Sequence, residues 1–166
     1  MSQITYVTGD ATRPLGTGRR LIAHVCNDVG GWGAGFVVSL SSRSKLAEKA
    51  YRKWAYEGTD NEGHPFELGQ VQFATYKPDI VVANMIAQQG IRTDSEGNPP
   101  LRYAALRICL DKVGARAVRQ GASVHMPRIG CGLAGGDWEK VEECVLGALV
   151  DAYGVSVTVY DRPTEE

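Results

Sequence analysis

Ser123-Val124-His125-Met126-Pro127-Arg128-Ile129-Gly130-Cys131-Gly132-Leu133-Ala134-Gly135-Gly136 joins a short apolar run to a helical one. Residues 123–126 suit a strand, four glycines follow between 130 and 136, and Trp138–Tyr153 has the spacing of a helix that stops at Gly154. Strand, glycine loop and helix in succession are the repeating unit of an open α/β sheet, whose ligands bind beyond the carboxyl ends of the strands. Successive amides in such a loop can form a concavity that holds an anion without any lysine.

The same unit occurs earlier in the chain. Strand-like runs at Ile4–Thr8 and Leu21–Cys26 flank a turn-rich segment with Gly9, Asp10, Pro14, Gly16 and Gly18. Next comes Asn27-Asp28-Val29-Gly30-Gly31-Trp32-Gly33-Ala34-Gly35, which opens a helix over Phe36–Trp54 with a break near Ser41–Ser44. Val71–Tyr76 and Ile80–Ala87 read as strands joined by the turn Lys77-Pro78-Asp79. A polar loop over Ile91–Pro100 precedes a helix over Leu101–Gln120; a last strand covers Val155–Tyr160, and residues 162–166 are expected to fray. Strands alternating with helices predict a three-layer α/β/α arrangement around a mostly parallel sheet, as one domain over residues 1–166.

Composition excludes several functions. Eighteen basic against 19 acidic side chains leave a formal charge of -1, which argues against a protein that coats nucleic acid through bulk charge. The cysteines Cys26, Cys109, Cys131 and Cys144 form no CxxC pair, and no Asp/Glu/His cluster suggests a metal; free thiols in a reducing cytoplasm are expected. The N-terminus has no secretory pattern, and no stretch approaches the roughly 20 apolar residues of a membrane span. No GxxxxGK[ST] is present, no GxGxxG follows the first strand, and no acidic residue sits suitably at the second strand's end, which removes P-loop and dinucleotide-dehydrogenase readings. His24 and His125 lie in apolar runs and read as core histidines; Trp54 and Trp138 read as packing, and Cys26 and Cys131 as small buried residues.

The segment Met126-Pro127-Arg128-Ile129-Gly130-Cys131-Gly132-Leu133, with Trp138 beyond it, closely resembles macrodomains of the terminal ADP-ribose protein glycohydrolase branch. The resemblance runs from Ile4-Thr5-Tyr6-Val7-Thr8-Gly9-Asp10 through Ala23-His24 and Gly33-Ala34-Gly35 to Val157-Thr158-Val159-Tyr160. It implies a mixed, mostly parallel sheet between helices, with ADP-ribose as the ligand and no other cofactor. It also implies that Asp10 accepts the adenine amino group beside Ala11; Tyr160, at the end of the last strand, either lies near the adenine or packs at the sheet end. Gly130–Gly136, with Gly130, Cys131, Gly132, Leu133 and Ala134 as ligand contacts beside Arg128 and Ile129, would form the diphosphate loop, and the Asn27–Gly35 loop, through Gly30, Gly31, Trp32, Gly33, Ala34 and Gly35, would surround the distal ribose. Trp32, by its place in a glycine loop, either covers that ribose or is buried in the ordinary way.

Two positions depart from that branch. Its nucleophilic lysine falls on Gln88, with Gln89 as the neighbouring possibility, and its acid–base aspartate falls on Ala134. Neither amide can form a Schiff base. The resemblance then implies a water-dependent ADP-ribosyl hydrolase, with water held by the ligand's phosphate or activated by another carboxylate such as Asp28. Asn27 would orient the ribose hydroxyls, and Gln88 would position water or the leaving group. The alternative is a reader that binds ADP-ribose without turnover. Substrates implied are an ADP-ribosylated protein, through an acidic-residue ester, or an ADP-ribosylated base in nucleic acid, since the Gln88-Gln89 amides match base edges. In that second case Arg92, Arg102, Arg107 and Arg128 would line one edge of the cleft.

Overall fold

The computed structural model describes residues 3–163; of the tail expected to fray, residues 164–166 lie outside the described residues. Among the described residues, six strands form one sheet: β1 (Ile4–Thr8), β2 (Arg20–Asn27), β3 (Val71–Lys77), β4 (Ile80–Gln88), β5 (Ser123–Met126) and β6 (Val157–Asp161). Their order is β1-β6-β5-β2-β4-β3. All neighbours run parallel except β3 and β4, which form an antiparallel hairpin at one edge. Its turn holds Asp79 at φ 64, a left-handed conformation that an aspartate tolerates better than most side chains.

The central strands are apolar on both faces, so both faces need cover. Leu21, Ala23, Met85 and Ala87 pack under the helices α3 (Tyr103–Gln120) and α4 (Trp138–Val145). Alternate residues Ile22, Cys26, Val82 and Ile86 pack under α1 (Phe36–Arg43) and α2 (Leu46–Glu57). This yields the three-layer α/β/α arrangement. The break expected between α1 and α2 falls at Ser44, whose backbone is extended. The helix expected to run through Tyr153 does continue beyond Val145, but with π-helical geometry over Leu146–Asp151. Gly114 and Gly147 let α3 and this segment approach closely. A Cβ on Gly114 would sit 2.3 Å from the Tyr153 ring, and one on Gly147 would sit 2.7 Å from the Arg107 guanidinium.

Two boundaries differ from the sequence reading for a stated physical reason. Leu101 and Arg102 are extended, because their amides bond to Ala134 O at 3.1 Å and Ala87 O at 2.8 Å, so α3 starts only at Tyr103. The last strand starts at Val157, where pairing with both β1 and β5 begins. The Leu101 pairing has a functional consequence: it ties the second glycine loop to the end of β4. Among the described residues, no helix is long and apolar enough to cross a membrane.

Candidate functional site

The parallel strands β2, β4, β5 and β6 end on the same side of the sheet, so the segments following them meet there. A crevice opens at that place between residues 34–37 and 127–134. Its outer compartment, about 700 Å³, is bordered by Asp10, Ala11, Ser39, Cys131, Tyr160 and Asp161. Its inner compartment, about 200 Å³, is bordered by His24, Gln88, Ile129, Gly130, Leu133 and Ala134. Gly35, Phe36, Pro127, Arg128 and Gly132 border both compartments, so they form one continuous cleft. A separate cavity of about 620 Å³ opens at the opposite end of the sheet beside Arg19, Pro78 and Gln120 and has no glycine loop.

The glycine loops supply the chemistry of the cleft. Among the described residues, the amides of Ala34, Gly35, Phe36 and Val37 on one wall donate to no protein group, nor do those of Gly132, Leu133 and Ala134 on the other. The first set is the positive end of α1, whose first turn carries no acidic side chain. The second set is held in place from behind. Gly136 N donates to Gly130 O at 2.7 Å, Gly135 N to Gly132 O at 3.1 Å, and Leu101 N to Ala134 O at 3.1 Å. Gly130 lies at φ 71, and a Cβ there would sit 2.8 Å from Leu101 Cδ2. Leu133 is 69% exposed, and its Cδ1 lies 3.8 Å from where a Cβ on Gly35 would stand, so it reaches across the mouth between the loops.

At the outer end, Asp10 Oδ1 accepts from Thr12 N at 2.9 Å and Thr12 Oγ1 at 2.7 Å, while Oδ2 accepts from Arg43 at 3.1 Å. Burial raises its pKa, but these hydrogen bonds and the Arg43 charge outweigh it and hold the carboxyl below its usual range. One lone pair of this ionised group remains for a further donor. Tyr160 is 3% exposed, with its hydroxyl 2.7 Å from His125 Nδ1 and accepting from Leu15 N at 2.8 Å. Its ring forms part of the cleft floor.

Several residues expected to face the ligand do not. Trp32 is a correction: it is 5% exposed, donates from Nε1 to Ser41 Oγ at 2.7 Å, and packs on Tyr51 and His24 with ring centroids 5.3 Å away in each case. The bulk of the indole finds room under α1 and α2, so it cannot cover a ribose. Gly30, Gly31 and Gly33 likewise do not border the cleft; only Ala34 and Gly35 of that loop do. Asn27 is a second correction. Its Oδ1 accepts from Gly31 N, Val29 N and Tyr51 Oη, and its Nδ2 donates to Gly31 O, so the side chain stitches its own loop together. Asp28 is a third, because its Oδ1 accepts from Gly90 N at 2.8 Å outside the cleft.

Gln88 alone of the three catalytic candidates borders the inner compartment. It spends one N–H on Gly90 O at 3.0 Å and keeps Oε1 and the other N–H. Gln89 is exposed, its Oε1 accepting from Arg102 at 3.1 Å. The proposed basic edge is not assembled. Arg102 is tied to Gln89, Pro99 and Asp94, Arg107 lies against Gly147, and Arg92 does not border the cleft. The Arg128 guanidinium makes a bidentate pair with Asp161 at 2.7 and 2.9 Å, and lies 4.8 Å from the ring centroids of Tyr6 and Trp138. Cys131 borders the outer compartment, but burial raises its thiol pKa, which argues against a nucleophile. Among the described residues, no group of three or more His, Cys, Asp or Glu could hold a metal.

His24 was missed as a cleft residue. It is 2% exposed and yet borders the inner compartment, and the sequence pattern of a histidine in an apolar strand gives no sign of this. Burial lowers its pKa from 6.5 to about 4, and burial plus the Arg20 charge does the same for His125. The unfolded chain therefore takes up protons between pH 6.5 and 4 that the folded chain refuses. Stability is full above that window and falls on acidification, on the order of 1.4 kcal/mol per pH unit for each such histidine. Urea midpoints measured at pH 7 and 4.5 should show this loss, and equal midpoints would contradict it.

Comparison with known proteins follows the same lines. No family model matches the chain. It is 29% identical over 171 residues to chromodomain-helicase-DNA-binding protein 1-like of Mus musculus, an alignment covering 98% of this chain and only 18% of that protein's length. It is 24% identical over 156 residues to an ADP-ribose 1''-phosphate phosphatase of Candida albicans, covering 86% of this chain and 91% of that one. Among solved structures, a protein of unknown function from Bacteroides thetaiotaomicron is 50% identical, with a TM-score of 0.90 over 96% of this chain and 98% of that one. DarTG of Thermosipho africanus in complex with ADP-ribose has a TM-score of 0.74 at 15% identity over 100% of this chain and 43% of that one, a likeness of fold alone. A macrodomain protein from Streptomyces coelicolor is 46% identical, with a TM-score of 0.83 over 97% of this chain and 100% of that chain. With that identity across the whole of a macrodomain, and with the same sheet and helices around the cleft, the chain belongs to the macrodomain family.

Proposed function

We propose that this protein binds ADP-ribose across its cleft and hydrolyses its bond to a modified macromolecule with water. The observation that carries the reading is the pair of facing amide runs, residues 34–37 and 132–134, which no protein group occupies. Seven neutral N–H donors on two walls suit a diphosphate, and the remaining Asp10 lone pair suits the adenine amino group at the outer end. The distal ribose then lies in the inner compartment beside Gln88. Two similar proteins support the reading: the Candida relative is named for an ADP-ribose phosphate ester, and the Thermosipho neighbour holds ADP-ribose.

The branch resemblance to terminal ADP-ribose protein glycohydrolases belongs to the same reading, with Gln88 and Ala134 standing where that branch has lysine and aspartate. With an amide at one position and a methyl at the other, neither a covalent lysine adduct nor proton transfer by that aspartate is open to this chain. Catalysis rests on geometry: the amide walls fix the diphosphate, and the free Gln88 Oε1 orients a water toward the sugar carbon. The bond from that carbon to the macromolecule breaks as the water oxygen adds, and the released group takes the proton.

The test is release of ADP-ribose from an acidic-residue ester, a serine-linked peptide and an ADP-ribosylated oligonucleotide. Wild type should act on at least one of them, and Gln88→Ala should slow release about 100-fold while still binding ADP-ribose. Tight binding with no release from any of the three would establish the reader instead.

A further inference from the structure

A row of buried polar side chains crosses the sheet and ends at the inner compartment. His24 of β2 is the register partner of Asn84 in β4, which in turn is the partner of Gln72 in β3. All three lie on the face covered by α2 and are 2%, 0% and 8% exposed respectively. The orientation of the whole row is set at its far end. The carbonyl oxygen of Ala50 can only accept, so the group facing it at 2.9 Å is Gln72 Nε2. Gln72 Oε1 is thereby turned to Asn84, whose Nδ2 donates to it at 3.0 Å, and Asn84 Oδ1 is left facing His24 Nε2 at 2.6 Å.

An amide oxygen has no proton to give, so His24 Nε2 carries the hydrogen and Nδ1 carries a lone pair. Burial keeps the ring neutral. The other polar neighbour is Cys26 Sγ, 3.9 Å from Nδ1 and 3.7 Å from Nε2. A sulfur nearly equidistant from the two nitrogens cannot lie along the Nδ1 lone pair, which points away from Nε2. The ring is wedged between Trp32, at 5.3 Å, and Phe36, at 5.8 Å between centroids, which prevents it from turning away. The result is a buried acceptor with no in-line donor, on a residue that borders the cleft and whose ring packs on Phe36, another residue of the cleft lining.

We infer that His24 Nδ1 is a ligand contact, accepting a hydrogen bond from a hydroxyl of the sugar that occupies the inner compartment. The inference rests on the ADP-ribose reading above. Phosphate oxygens only accept, so this lone pair rejects them and leaves them to the amide walls; a sugar hydroxyl can donate. The polar row thus acts as a positioning device, in which a helix carbonyl beyond Gln72 decides which ring nitrogen carries the hydrogen and which keeps a lone pair for the ligand.

The test uses wild-type protein with ¹⁵N-labelled histidine, whose ring nitrogens report protonation directly by NMR, titrated with ADP-ribose and with ADP, which lacks the distal ribose. The free protein should show His24 with Nε2 protonated and Nδ1 bare. ADP-ribose should shift the Nδ1 resonance, and ADP should bind without shifting it. A bare Nε2 in the free protein, an unmoved Nδ1 at saturating ADP-ribose, or an equal shift with ADP would each overturn the inference and leave ADP-ribose binding intact. If neither nucleotide binds, both readings fall together. His24→Phe, which keeps the ring packing, should weaken ADP-ribose about 5–10-fold and leave ADP unchanged; an equal effect on both nucleotides would argue for a structural role only.

Discussion

Gly136→Ala weakens ADP-ribose binding by about 10–100-fold, a loss of roughly 1–3 kcal/mol. The added methyl would lie 2.5 Å from Gly130 O and 2.5 Å from Leu101 Cδ2, and the first of these is backbone that cannot swing aside. Gly136 N and Gly130 O also form the 2.7 Å bond that closes the loop, so the methyl pries open the wall that presents the amides of Gly132, Leu133 and Ala134. Gly33→Ala is the matching control. Its Cβ would meet nothing within 4 Å, and the residue does not border the cleft, so affinity should stay within about twofold. Calorimetric titration of both variants distinguishes the two cases; equal affinities would mean that the closed loop is not the diphosphate wall.

Asn84→Leu lowers the free energy of unfolding by about 3 kcal/mol or more, a large part of the roughly 5–15 kcal/mol that holds a domain together. Leucine has nearly the right volume, so the loss comes from polarity. His24 Nε2–H loses its acceptor, Gln72 Oε1 loses its donor, and Ala47 O loses a 3.3 Å contact from Nδ2, all around a side chain that is 0% exposed. Each stranded buried group costs about 1–3 kcal/mol. Urea unfolding measures this directly, and a loss under about 1 kcal/mol would show that the row contributes little to folding.

The sheet was legible because its signals are local. Val71–Tyr76 and Ile80–Ala87 around Lys77-Pro78-Asp79 are a hairpin, and the glycines at 130–136 lie between a strand and a helix as their pattern implies. The cleft was legible on the side where backbone forms it, since glycine loops announce themselves in sequence. Side-chain destinations were not. Trp32 lies in a glycine loop, which suggested exposure, but its burial depends on the space left by Tyr51 and Ser41 from later segments. Asn27 has the chemistry to hold a ribose, yet four hydrogen bonds within its loop and to Tyr51 use it locally. Arg128 is drawn off by Asp161, a residue 33 positions away. His24 needed strand register to reveal it: only the pairing of β2, β4 and β3 places Asn84 and Gln72 beside it.

The central claim is that the facing amide runs hold ADP-ribose, and calorimetric titration of ADP-ribose into the wild-type protein tests it most directly. The account predicts saturable binding at one site per chain, with a Kd below about 100 µM, or roughly −5.5 kcal/mol. No heat of binding and no displacement of amide resonances at residues 34–37 and 132–134, up to millimolar nucleotide, would contradict it.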